Sequence, residues 1–133
     1  RSRADRMSAT ARTLELLRKD GYHVWIVEKT IPGRGIKLDA FGFMDILAYR
    51  PDDAVVVAVQ STVGSHHAAH LRKYEELPLV KTRIFDWIKK HKFLIVSWRK
   101  AGARGKRKLW TPRVEDITAE TFNLASTVQV ENA

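Results

Sequence analysis

The stretch Ala54 to Gln60 (AVVVAVQ) constrains the fold more than any other part of the chain. Six apolar residues, four of them valine, follow one another before the first polar side chain. A run this short and this rich in β-branched residues reads as a strand. Its lack of alternation predicts that both faces are covered. A strand covered on both sides needs a layer above and a layer below. In a chain of 133 residues, 44% of them hydrophobic, that means helices packed on a central sheet within one domain.

The flanking segments fit this scheme. Phe41 to Tyr49 (FGFMDILAY) reads as a strand, and Arg50-Pro51-Asp52-Asp53 as the turn that joins it to the apolar run in an antiparallel hairpin. Upstream, Met7, Ala11, Leu14 and Leu17 recur at helical spacing, with Ser8 and Thr10 near the start and Asp20-Gly21 as the stop. Tyr22 to Glu28 (YHVWIVE) reads as a strand, and KTIPGRGIK, with Pro32, Gly33 and Gly35, as a mobile basic loop. Downstream come a helix over 64–76, a break at Pro78, a helix over 80–91 and a strand over 92–98. A very basic turn over 99–108, a short returning strand over 109–111 and a tail over 119–133 complete the chain. The expectation is a single α/β domain over residues 5–118, with a mixed central sheet of four to five strands flanked by helices.

Composition narrows the function. With no cysteine, neither a disulfide framework nor a thiolate metal site is available. No apolar run is long enough to cross a membrane and nothing resembles a signal peptide, so a cytoplasmic protein is the expectation. The net charge of +9 and pI of about 10.1 favour a polyanionic partner, nucleic acid first, with acidic lipid and plain solubility as competing readings. Arg99, Lys100, Arg104, Lys106, Arg107 and Lys108 put six cations into ten residues, and Arg34, Lys37 and Arg72 add to the basic surface. Trp98 and Trp110 flank the basic run, where phosphate contact and core packing at the strand ends compete.

Asp45 interrupts an apolar strand, and a charge there is costly unless it is paired, binds a metal or reaches solvent at an edge. Gln60 ends the next strand. If Arg50 pairs with Asp53, Asp45 lies diagonal to Gln60. If the loop is two residues longer, the two face each other. Both registers put them on one face, about 5–8 Å apart, whereas a three-residue loop separates them. The competing reading of Asp45 is an edge aspartate paired with Lys37, Arg34 or Lys73, and that of Gln60 is an amide closing a strand end.

An Asp on one strand of a hairpin, followed across the turn by a triplet at the end of the next strand, resembles the PD-(D/E)XK nuclease superfamily. The Asp is Asp45 within DAFGFMDILAY and the triplet is Gln60-Ser61-Thr62 within VVVAVQST. The closest likeness is to small resolvase-like and very-short-repair-like members. The resemblance implies a metal-dependent DNA endonuclease, acting on branched or structured DNA as well as linear, that holds Mg²⁺ or Mn²⁺ through Asp45 and Gln60 and works as a monomer or a homodimer. RNA is a further candidate substrate. Gln60 stands where the family has an acid, so it brings an oxygen without a charge. Thr62 stands where the family has lysine. Glu28 and Asp39 are the candidates to restore a carboxylate, with Glu15 a weaker one by analogy. Against them stand a Glu28 pair with Lys29 or Arg34 and a turn role for Asp39. On the following helix His66, His70 and Lys73 share a face by spacing, and Lys73 or His70 is the candidate to replace the lysine. The i, i+4 pair His66 and His70 lacks the third ligand and the glutamate of a zinc motif. Two other classes remain: a nucleic-acid-binding module without chemistry, and an assembly protein whose basic face meets an acidic protein.

Overall fold

The computed structural model describes residues 3–122. A short helix α1 (Arg3–Arg6) precedes α2 (Ala9–Lys19), whose first turn is closed by the Ser8 hydroxyl accepting from the Ala11 N–H at 3.1 Å. Gly21, at φ +88°, ends the helix by turning the chain so that its own N–H and that of Tyr22 reach back to Arg18 and Leu17.

The chain then forms a five-stranded mixed sheet in the order β1 (His23–Ile26), β4 (Ile46–Tyr49), β5 (Val57–Val63), β6 (Lys92–Ala101), β7 (Leu109–Asp116). Neighbours are antiparallel except β5 and β6, which run parallel. The crossover between these two is a 3-10 turn (Gly64–His66), α3 (His67–Glu76) and α4 (Pro78–Ile88). Helix α2 covers one face of the sheet. There Leu17 packs with Ile46, Val57, Val59, Val96 and Trp98. Helices α3 and α4 cover the other, where Tyr74 and Ile84 pack with Phe43, Ala58, Phe93 and Ile95. Alternate residues of β5 feed the two cores, which is why the apolar run shows no polar face. Among the described residues no helix is long and apolar enough to cross a membrane.

The boundaries differ from the sequence expectation in five places. The third strand starts at Val57 instead of Ala54. Asp53 caps the turn through its 2.7 Å bond from Arg50 Nε, and 54–56 lead into the sheet, with Val56 pinned to His91 and Lys92. The second strand is confined to Ile46–Tyr49, because 41–44 form a tight turn bridged from Ala40 to Met44. The expected mobile loop is a hairpin: β2 (Lys29–Ile31) pairs with β3 (Ile36–Leu38) across a Pro-Gly-Arg-Gly turn in which Gly33 and Gly35 take φ +79° and +62°. Strands β6 and β7 run on into the basic segment, which leaves only 102–108 as turn. Of the expected tail, Ala119–Phe122 form a 3-10 turn whose Phe122 packs edge-on against Phe85 in the core. Residues 123–133 lie outside the described residues.

Candidate functional site

The hairpin register places Asp45 opposite Gln60: Ile46 pairs with Val59, and the Asp45 N–H donates to the Val59 carbonyl at 2.9 Å. This is the longer-loop alternative of the two even registers. Ser61 turns to the opposite face, where its hydroxyl meets Thr13 Oγ1 at 2.7 Å. Thr13 also accepts from the Trp98 indole at 2.9 Å and donates to the Ala9 carbonyl. Trp98 is therefore core, as expected, and Gln60 faces the side of α3.

Asp45 is 2% exposed and immediately precedes the inner strand β4, so the edge-aspartate reading fails. None of Lys37, Arg34 or Lys73 pairs with it among the described residues. Its Oδ2 accepts from Gln60 Nε2 at 2.7 Å and from the Ser61 N–H at 2.9 Å. Its Oδ1 has no donor among the described residues. Gln60 is itself clamped, because the fully buried Tyr74 donates to its Oε1 at 2.6 Å. The carbonyl oxygen expected as a metal ligand is thus engaged by Tyr74, and the amide presents N–H to Asp45. In this arrangement Gln60 links Tyr74 to Asp45.

Two backbone irregularities bring further carboxylates to Asp45. Val27 and Glu28 both donate their N–H groups to the Asp45 carbonyl, at 2.8 and 3.2 Å. Two residues opposite one define a β-bulge. It carries Glu28 to the face of Asp45, which regular alternation would deny it. On the other side, the turn 40–44 holds Phe41 at φ 55° and Gly42 at φ +87°, with the Gly42 N–H on the Asp39 carbonyl at 3.1 Å. The chain thereby doubles back and sets Asp39 beside Asp45. One carboxylate oxygen from each of Glu28, Asp39 and Asp45 lies within 4.8 Å of the others. Glu28 pairs with Lys37 at 3.8 Å, not with Lys29 or Arg34.

Three acids this close raise the cost of charging the most buried one. Burial pushes the Asp45 carboxyl up to about 9. The hydrogen bond and charge of Asp39 and the charge of Glu28 act in the same direction, while the Ser61 N–H pulls it down. A proton held between Asp39 and Asp45, or a cation, satisfies the free oxygen.

Helix α3 presents a different face from the one its spacing suggested. His66 lies exposed in the 3-10 turn and Lys73 points outward, while His67, His70 and Tyr74 turn to the sheet. His70 Nε2 lies 3.2 Å from the Thr62 hydroxyl, and its Nδ1 is buried without a partner among the described residues. Burial first and the Lys73 charge second hold the imidazole below its ordinary pKa, against the charge of Asp39. Lys73 thus acts on His70 through its field, not by contact with the acids. Thr62 is buried and occupied by His70. Glu15 sits on α2, behind the opposite face of the sheet, and pairs with Arg3 at 3.4 Å.

The predicted phosphate-binding cations are spread over the surface. Arg34 lies in the tip of the β2–β3 hairpin, Arg72 on the outer side of α3, and Arg104, Lys106, Arg107 and Lys108 in the 102–108 turn, all exposed. Lys100 is drawn to Asp5 at 2.8 Å and lies over Trp110, whose ring also carries the Arg12 guanidinium at 3.8 Å. Tyr74 and His67 went unnoticed in the sequence. Their spacing of four and three residues from His70 was the available signal. Comparison of this chain with family models, curated proteins and solved structures gives no match.

Proposed function

We propose that this chain is a metal-dependent nuclease that hydrolyses phosphodiester bonds of DNA, with Glu28, Asp39 and Asp45 as the carboxylates that hold a divalent cation. The observation that carries the reading is the buried Asp45 carboxylate, whose Oδ1 has no hydrogen-bond partner among the described residues and which lies in a cluster with the carboxylates of Glu28 and Asp39. Three hard oxygen donors with net negative charge suit Mg²⁺ or Mn²⁺ and not a soft metal. When bound, the ion supplies Lewis acidity toward the phosphate and acidifies a water.

The chain's own groups do the positioning. Ser61 and Gln60 fix one oxygen of Asp45 and leave the other without a partner among the described residues. Tyr74 fixes Gln60. His70, neutral near pH 7 because its pKa is lowered, is the imidazole of the site that can hold or release a proton, at the unpartnered Nδ1. The net charge of +9 draws the polyanion to the surface.

A specific observation favours a second reading, a DNA-binding module without turnover. The Gln60 oxygen is tied to Tyr74, and Thr62 brings no positive charge to the acids. Incubation of supercoiled plasmid, linear duplex and a four-way junction with Mg²⁺ or Mn²⁺ separates the two. The nuclease reading expects nicking or cutting that Asp45→Asn lowers at least a hundredfold. Metal-independent binding with no cleavage by the wild type decides for the module.

A further inference from the structure

Beyond the acidic cluster, on the same face of the sheet, a groove of about 620 Å³ opens where β6 and β7 pass the start of the crossover. Gly64, Ser65, Ser97, Arg99, Thr111 and Arg113 line it, and no acidic side chain does. Arg99 enters none of the ion pairs among the described residues. Its stem lies against the 3-10 turn: a Cβ on Gly64 would stand 3.2 Å from Arg99 Cβ and 3.9 Å from its Cδ. Glycine at 64 is what leaves this side chain's stem room beside the turn. Arg113 reaches the same groove from β7, where it is the strand partner of Ser97, two residues before Arg99 and on the same face.

The floor of the groove is a built polar network. The buried Ser97 hydroxyl meets His67 Nδ1 at 2.6 Å, and His67 Nε2 meets Glu115 at 2.7 Å. His67 and Ser97 are each 1% exposed. With the Nε2–H tautomer, Ser97 donates to the ring and the ring donates to the carboxylate, so every group is satisfied. The order of serine, histidine and glutamate resembles a nucleophilic triad, but a serine this covered serves as floor. The same Glu115 oxygen lies 3.6 Å from the Arg113 guanidinium and holds it at the rim.

We propose that this groove is a second anion site, where Arg99 and Arg113 hold one backbone phosphate of the nucleic acid whose cleavage is assigned to the acidic cluster. The identity of that ligand rests on the nuclease reading. Two planar guanidinium forks with the Ser65 and Thr111 hydroxyls beside them match the oxygens of a phosphate. Arg99 stands four residues beyond Ile95, the strand partner of Gln60, which puts it roughly 14 Å from Gln60 by strand rise and spacing. One nucleic-acid strand can span both places.

The test has two arms. Inorganic phosphate is titrated into ¹⁵N-labelled protein at low salt, and the amides of Gly64, Ser65 and Thr111 are followed in the wild type and in R99Q/R113Q. A fluorescent DNA duplex is then titrated in EDTA across a salt series. Saturable shifts at those amides, lost in the double variant, are expected. The slope of log K against log salt should fall by about 0.9, the value for one phosphate. Each single variant should produce most of that change, because both arginines serve the same phosphate. The surface pair K89Q/K90Q, at the far end of α4, should leave the amide shifts unchanged. Shifts that do not saturate, or that survive in R99Q/R113Q, mean an adventitious ion only and overturn the site. So does a duplex affinity and slope unchanged by the substitution. If phosphate binds the groove but Mg²⁺ supports no cleavage, the nuclease reading fails while the anion site stands.

Discussion

Asp45 carries the energetic tension of the molecule. An acid whose pKa is raised by folding holds a proton in the native state that the unfolded chain gives up, so stability is lost as pH rises from the unfolded value, 3.8, toward the folded one, about 9. The loss approaches about 1.4 kcal/mol per pH unit within that window. Asp45→Asn keeps the neutral form and removes the penalty. Urea unfolding between pH 5 and pH 8 without metal should therefore show the wild type weakening relative to the variant as pH rises. Parallel curves would mean that Asp45 is not protonated on folding. Tyr74→Phe leaves the Gln60 oxygen buried without a donor and should cost about 1–3 kcal/mol by the same measurement. It should also weaken metal binding, because Gln60 no longer holds Asp45 in place.

At the scale of elements, the site depends on two departures from regular strand geometry: the bulge at Val27 and Glu28, and the turn that sets Phe41 at φ 55°. Gly42 tests the second. An added Cβ meets Val80 Cγ2 at 2.7 Å and must also tolerate φ +87°. Gly42→Ala should cost about 1–3 kcal/mol. Since the Gly42 N–H bonds the Asp39 carbonyl, the shifted turn should lower Mn²⁺ affinity in calorimetry more than the loss of folded protein explains. The hairpin was legible in the sequence. Strand parity, given an even loop, put Asp45 and Gln60 on one face, and the apolar run announced a doubly covered strand. The bulge was not legible, because nothing in YHVWIVE marks two residues that share one carbonyl. The turn was masked by FGFM, whose apolar residues read as strand while two of them take left-handed backbone angles. The inward face of α3 was misjudged because the helix begins at His67, so that Tyr74 rather than Lys73 completes the stripe.

Across the whole molecule, charge is separated by function. The acids converge at the end of β1 and the start of β4, while the cations lie on the β2–β3 hairpin, the rim of β6 and β7, and the 102–108 turn. Glutamine at Arg104, Lys106, Arg107 and Lys108 together should weaken DNA binding evenly across sequences and flatten its salt dependence, with cleavage at low salt retained. Binding unchanged by these four substitutions would place the nucleic acid elsewhere.

The central claim is that Glu28, Asp39 and Asp45 hold one divalent cation. Anomalous diffraction from crystals soaked in MnCl₂ tests it most directly. A single manganese peak among the three carboxylates, with Asp45 Oδ1 as a ligand and the Tyr74–Gln60 bond intact, is the predicted result. Carboxylates still facing one another with no peak between them, at a manganese concentration that occupies other sites on the protein, would contradict it.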